Sequence, residues 1–244
     1  IKLEALLRDF RPDTIIHLAA MAGVRDSMGK EKSYHQNNID ATQNLIDICK
    51  QHLPDTRIVY ASTSCVYAGS PVPWTEGQES GKQLNAYGYT KWANECQFQS
   101  SGLNTTGLRF FTVYGPWGRP DMAPIRFAKA IISGQPIHVY NNGNHSRDFT
   151  YIDDIVSGVT KVIELPPSQN FLYDAHNPDA AISSVPWRVF NIGGENPIAL
   201  MDFVGKLEIA LNRKAKVEFV DRQVGDMEKT SADCSALRKA TGWS

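Results

Sequence analysis

The feature that most constrains this chain is a recurring unit: a short apolar run, a turn of small or hydroxyl-bearing residues, then a stretch with helical spacing. The first such segment is 14–20, Thr-Ile-Ile-His-Leu-Ala-Ala, the second 57–61, Arg-Ile-Val-Tyr-Ala, and the third strand is read at 106–111. The first reads as a strand buried on both faces. Between the first and second runs, residues 34–51 form a helix with Ile39, Leu45, Ile46 and Ile48 on one apolar face. A helix carrying Tyr87 lies between the second and third. Strand, loop and helix in alternation imply a parallel α/β sheet.

The flanking segments are read the same way. Residues 1–9 have a helical pattern ended by Arg11-Pro12-Asp13. A loop rich in Pro, Gly and Ser covers 69–83. After the third strand the texture changes: a short helix at 124–133, a strand at 137–140 and a polar loop at 141–148. Thr150-Tyr-Ile-Asp-Asp154 reads as a capped start to a helix at 155–165. Residues 166–186 hold four prolines and are expected to be irregular and exposed. A strand at 188–192, a helix at 200–211 and a strand at 216–220 complete the chain.

Composition excludes several function classes. A formal net charge of −1, with no basic run, leaves no nucleic-acid footprint. No apolar run approaches the roughly 18 residues of a membrane span, and the start has no signal-peptide pattern, so a cytoplasmic location is expected. Cys49, Cys65, Cys96 and Cys234 have no metal-ligand spacing and are expected as free buried thiols.

The chemistry concentrates at 85–95, Asn-Ala-Tyr-Gly-Tyr-Thr-Lys-Trp-Ala-Asn-Glu. Tyr87 and Lys91, one helical turn apart, share a face. An ammonium at that spacing is expected to stabilise a phenolate, priming Tyr87 to take or return a hydroxyl proton. An ordinary amphipathic helix is the alternative. Small residues Ala19, Ala20 and Ala22 follow the first strand, where ligands bind in a doubly wound sheet; a tight strand-to-helix turn would use the same residues. Asn37 and Asn38 suggest a cap or a polar contact toward the site. Ser62, Thr63 and Ser64 place three hydroxyls at a strand's carboxyl end, either for a ligand or for a Ser/Thr turn.

Taken together the motifs resemble the extended short-chain dehydrogenase/reductase family that acts on nucleotide sugars, and within it most closely the UDP-glucuronate 4-epimerases. The resemblance rests on the order and spacing of His17-Leu-Ala-Ala-Met-Ala-Gly-Val-Arg25, Asn37-Asn38, Ala61-Ser-Thr-Ser-Cys-Val-Tyr67, Tyr87-x-x-x-Lys91, Arg109-Phe-Phe-Thr-Val-Tyr-Gly-Pro116, Arg119-Pro-Asp-Met-Ala123, Arg147-Asp-Phe-Thr-Tyr-Ile-Asp-Asp154, Phe190-Asn-Ile-Gly193 and Gly225-Asp226. It implies a partial Rossmann-like, doubly wound parallel α/β sheet with a smaller carboxyl-terminal substrate lobe. Residues 1–115, with 148–162 and 187–193, would form the cofactor half, and 116–147 with 194–244 the sugar-nucleotide lobe.

The resemblance also implies NAD as cofactor and a mechanism. Tyr87 would take the proton of the sugar 4-hydroxyl while C4 gives a hydride to NAD, Thr63 would hydrogen-bond the same oxygen, and Lys91 would hold the nicotinamide ribose. The 4-keto sugar would turn over and receive the hydride on its other face. Cofactor contacts carried over are Leu18, Ala19, Ala20, Ala22, Asn38, Phe111, Tyr87 and Lys91. On the UDP-sugar side, Arg147 would meet the diphosphate, Arg126 and Asp226 the nucleotide, Tyr140 the uracil and Arg119 the sugar carboxylate, with Thr112 and Ser64 lining the pocket. Cys65 stands where related dehydratases and decarboxylases carry a carboxylate, which favours plain epimerisation. Relatives are commonly homodimers.

One departure from the pattern concerns the Gly-x-x-Gly-x-x-Gly turn with which family members open; these 244 residues hold none. The expectation is that the chain is part of a longer protein. A short, non-catalytic interaction module and a half supplied by another chain are the alternatives.

Overall fold

The computed structural model describes residues 2–78, 83–168, 173–222 and 225–244. Residue 1 of the expected first helix, 79–82 of the first expected loop and 169–172 of the second lie outside the described residues. In chain order the elements are α1 (Lys2–Phe10), β1 (Thr14–His17), α2 (Glu31–Tyr34), a π-helical turn (His35–Asp40), α3 (Ala41–His52), β2 (Arg57–Thr63), α4 (Ala86–Ser101), β3 (Thr105–Phe110) and β4 (Thr112–Tyr114). There follow α5 (Ala123–Ser133), β5 (Pro136–Tyr140), β6 (Ser146–Tyr151), α6 (Ile152–Glu164), β7 (Trp187–Ile192), β8 (Pro197–Ala199), α7 (Leu200–Leu211), β9 (Lys216–Val220) and α8 (Ser235–Thr241).

Strands β1, β2, β3 and β7 form one sheet in that order, every pair parallel. The alternation along β2 explains how both faces are covered. Ile58 and Tyr60 pack with Leu45, Ile46 and Cys49 of α3, Phe98 of α4, and Trp187 and Val189 of β7. Val59, between them, faces the opposite core of Leu108, Ile192, Ile155 and Val162 of α6, and Leu237 of α8. Helices on both faces of a parallel sheet define a doubly wound α/β layer, with each fully buried side chain contributing about 1.5–3 kcal/mol. Gly107 in β3 is required by this packing: a Cβ there would stand 2.6 Å from the Tyr60 hydroxyl. The Tyr60 ring thereby crosses β3, stacks on Phe98 at 4.1 Å and accepts a hydrogen bond from Trp187 Nε1 at 3.0 Å.

Two smaller sheets follow, β4-β6-β8 and β5-β9. The second is backed by α5 and α7 through Phe127, Ile131, Ile137, Val139 and Val204.

Several sequence expectations need correction. The first strand ends at His17 and is not buried on both faces: Ile16 is 45 % and Leu18 58 % exposed. It is the edge strand among the described residues, so one flank has no neighbour. The helix expected to begin at Tyr34 begins at Glu31 and passes through the π-helical turn, so Asn37 and Asn38 lie inside it and do not cap it. The polar loop 141–148 ends in β6, because Ser146, Arg147 and Asp148 pair with Ala199, Ile198 and Pro197. The next helix starts at Ile152, earlier than expected, and its N-cap Tyr151 makes no side-chain capping bond. Asp153 and Asp154 in its first turn complement the helix dipole instead. All four thiols are free; Cys49 and Cys234 are buried, whereas Cys65 is half-buried and Cys96 exposed. Among the described residues, no helix is long and apolar enough to cross a membrane.

Candidate active site

The site is built where the start of α4 meets the carboxyl end of β2. Asn85 caps α4, its side chain accepting from the Gly88 N–H at 2.8 Å. Gly88 permits close approach to the turn Ser64–Tyr67: a Cβ there would lie 2.9 Å from Gln83 Oε1 and 3.4 Å from the Cys65 carbonyl oxygen. Thr63 ends β2, accepts from the Cys65 N–H at 3.2 Å, and stands beside the Tyr87 phenol, whose pKa its hydroxyl acts to lower. Tyr34 contacts Tyr87 edge-on, ring centroids 6.4 Å apart. Ser62, the first of the three hydroxyls, is turned inward and donates to Glu95 at 2.5 Å.

A cleft of about 610 Å³ opens from this point. Of the residues singled out in the sequence, Tyr87, Lys91, Thr63, Ser64, Leu18, Ala20, Ala22, Phe111, Thr112, Arg119, Arg126, Tyr140, Arg147 and Asp226 all line it. Ala19 and Asn38 do not. Asn38 is buried, its side chain accepting from the Met21 N–H at 2.8 Å and donating to the Met21 carbonyl and the Thr90 hydroxyl, each at 2.9 Å. It clamps the loop after β1 onto α4. Phe111 is mostly a core residue, 5 % exposed and packed near Trp74.

The electrostatics correct one expectation. In the free protein the phenol is shifted the other way from the expected priming: burial raises it well above its usual range, reinforced by the neighbouring Cys65 thiol and opposed by Thr63 and Arg119. Desolvation of the phenolate outweighs what neighbouring cations return. Lys91 is itself pushed down to about 8 by burial, against the attraction of Glu95, and its charge helps burial lower His17 to about 4. A base whose folded-state value is depressed makes the unfolded chain the better proton binder between about 8 and 10.5. Stability attributable to Lys91 is therefore lowest below pH 8 and rises toward pH 10.5. Lys91→Met is expected to remove that rise, of order 2–3 kcal/mol, from urea-unfolding free energies measured across the window; an identical pH slope in the variant would refute this.

At the far end of the cleft, Arg147 donates to the Ser146 and Glu228 carbonyls at 3.0 and 3.1 Å. Burial lowers its pKa, while Asp226 and Cys65 raise it. Arg126 is exposed and makes no side-chain hydrogen bond or ion pair among the described residues. Arg119 pairs with Asp121 at 2.5 Å and donates to the Ala22 carbonyl at 3.3 Å. Arg25 and His145 are among the lining residues to which the sequence assigns no role. Arg25 pairs with Asp226 at 3.0 Å and lies 4.6 Å over the Tyr140 ring; its place at the end of the small-residue run after β1 was the available signal. His145 had no signal beyond lying two residues before Arg147.

The residues fit a dinucleotide. Lys91 is 3 % exposed, faces the cleft and makes no hydrogen bond or ion pair among the described residues, an unsatisfied donor set of the kind a bound ribose completes. Leu18 and Ala20 leave exposed apolar surface along the same wall, suited to a flat ring.

A parallel doubly wound sheet with a Tyr/Lys helix at a strand's carboxyl end defines a class, and residues 1–172 match the NAD dependent epimerase/dehydratase family; the chain belongs to it. Within that family several of its relatives are named as UDP-glucuronate 4-epimerases. It is 40% identical over 238 residues to the probable UDP-glucuronate 4-epimerase of Rhizobium meliloti, covering 95% of this chain and 70% of the relative. Protein CapI of Staphylococcus aureus is 40% identical over 240 residues, with 96% and 72% covered. Among solved structures, the UDP-glucuronic acid 4-epimerase from Bacillus cereus in complex with UDP-glucuronic acid and NAD superposes with a TM-score of 0.86 at 32% identity, over 100% of this chain and 73% of that one.

Proposed function

We propose that the protein is an NAD-dependent epimerase that inverts C4 of UDP-glucuronate, interconverting it with UDP-galacturonate. The observation that carries this reading is the Tyr87 phenol beside Thr63 in a cleft whose other end presents Arg147 and Tyr140. NAD, when bound, takes up a hydride from C4 and returns it. The chain's own residues handle the proton and the pose: Tyr87 accepts the 4-hydroxyl proton and gives it back, Thr63 hydrogen-bonds that oxygen, and Lys91 donates to the cofactor ribose. Leu18, Ala20, Ala22 and Phe111 are read as cofactor wall. Ala19 and Asn38 would act through the backbone of that wall and not by side-chain contact.

Plain epimerisation is favoured over elimination by Cys65. Burial pushes its thiol up, so at neutral pH it is an uncharged group where elimination needs a carboxylate. Arg147 forks onto diphosphate oxygens, Tyr140 meets the base, and Arg126 and Asp226 complete the nucleotide side. Ser64 and Thr112 line the sugar. On this reading 1–115 with 148–162 and 187–193 serve the cofactor, and 116–147 with 194–244 the sugar nucleotide. A cytoplasmic homodimer is part of the reading; light scattering of the purified protein tests the dimer.

A neutral UDP-hexose 4-epimerase is the second reading. It is favoured by Arg119, which Asp121 already neutralises and which is 45 % exposed. For UDP-glucuronate, its carboxylate must displace Asp121 from that guanidinium. The deciding experiment compares kcat/KM for UDP-glucuronate and UDP-glucose in wild type and Arg119→Ala. The expected result is preference for the uronate and a roughly tenfold or greater loss confined to it, the size of a charge-assisted hydrogen bond. Equal losses on both sugars would move the assignment to the neutral substrate.

A further inference from the structure

We infer that His145 is a further ligand-contacting residue of the cleft, donating a ring N–H to a phosphate oxygen of the sugar nucleotide beside Arg147. The inference rests on the nucleotide-sugar reading given above. His145 is 7 % exposed and lines the cleft. Among the described residues its imidazole makes no hydrogen bond, and Nε2 is sealed from solvent without a partner. A buried polar atom left in that state is uncommon, because water is surrendered and nothing replaces it.

The backbone holds the ring there. The His145 N–H donates to the Gly143 carbonyl at 2.7 Å, and its carbonyl accepts from the Leu200 N–H at 2.8 Å. These bonds fix the main chain at His145, and its 7 % exposure keeps the ring out of bulk water. Arg147 lies two residues on at the start of β6, and its guanidinium bonds only backbone carbonyls among the described residues. Burial, then the charge of Arg147, lowers the His145 pKa, so at neutral pH the ring is uncharged and keeps one N–H donor. A donor beside a cation that forms no ion pair among the described residues, with Asp226 acting on it only at longer range, suits an anionic oxygen. On binding, rotation of the ring about Cβ–Cγ, which needs no backbone change, is what brings an N–H to the ligand.

Titration calorimetry of UDP and of uridine with wild type, His145→Leu and His145→Gln tests this. His145→Leu is expected to weaken UDP binding roughly tenfold or more and to leave uridine binding unchanged, with His145→Gln, which restores an N–H donor, recovering most of the loss. Thermal unfolding of His145→Leu is expected to match or exceed wild type, since an unpaired polar group is replaced by an apolar one. UDP bound equally by wild type and His145→Leu overturns this inference alone. Parallel loss of UDP, uridine and thermal stability also overturns it, making His145 structural. Failure of wild type to bind UDP overturns the nucleotide-sugar reading, and this inference with it.

Discussion

Tyr87→Phe is expected to lower epimerase turnover by about 10²–10⁴-fold while UDP affinity stays within a few-fold of wild type. The phenol is the ionisable group at the Thr63 corner of the cleft, and removing one oxygen from the ring leaves its packing with Tyr34 in place. The nucleotide end, at Arg147 and Tyr140, is formed by β5 and β6 and is untouched by the substitution. Because burial raises the phenol, Tyr87 is protonated in the free protein at neutral pH. Wild-type kcat/KM is therefore expected to climb on the alkaline side of neutrality, and the remnant activity of the variant to lack that climb. Steady-state kinetics and UDP calorimetry together decide it: turnover within tenfold of wild type, or UDP affinity lost along with turnover, would remove Tyr87 from its assigned role.

The second large effect is on stability. Glu95 and Arg109 form a buried pair, with side chains 5 % and 1 % exposed. Arg109 donates from Nε and Nη2 to the two Glu95 oxygens at 2.9 and 2.8 Å, and from Nη1 to the Tyr67 hydroxyl at 2.7 Å. Tyr67 donates on to Asn191 at 2.7 Å, and Ser62 donates to Glu95. Breaking such a pair from one side leaves an uncompensated buried charge. Glu95→Leu and Arg109→Met are each expected to cost about 3–5 kcal/mol, a large part of the roughly 5–15 kcal/mol that holds a domain folded. The double variant, with both charges gone, is expected to recover much of the loss, giving a strong coupling in a double-mutant cycle of urea-unfolding free energies. Additive costs would mean that the two groups do not stabilise one another. The network also joins Ser62, next to Thr63, to α4 one turn beyond Lys91, so the same change that weakens the fold loosens the site.

The parallel sheet is legible in the sequence because strand, loop and helix patterns alternate through β3, and the Tyr87/Lys91 face because helical spacing leaves little freedom over four residues. The cleft lining was legible mainly through motif order, since Arg147, Tyr140 and Asp226 come from three separate segments that no local pattern connects. What escaped has physical causes. β4 and β8 are three residues each, too short for periodicity to register. Strand β6 was hidden in a polar run because its pairing partner lies about fifty residues away. The direction of the Tyr87 shift is not legible in sequence, because spacing reports a neighbouring charge but not desolvation. A buried amide that clamps a loop, as Asn38 does, and one that meets a cofactor look alike in sequence.

The π-helical turn has a consequence for how this helix tolerates changes in length. It holds one residue more than regular α-geometry would use, and that surplus is what rotates Asn38 inward to grip Met21 and Thr90. Deleting a single residue between 35 and 40 would let the segment relax into continuous α-helix with better local hydrogen bonding, yet would swing the amide away and release the loop that floors the cofactor wall. Local regularity and a working cleft are opposed along this stretch, so sequence drift toward the more regular helix is a route to a folded but inactive protein.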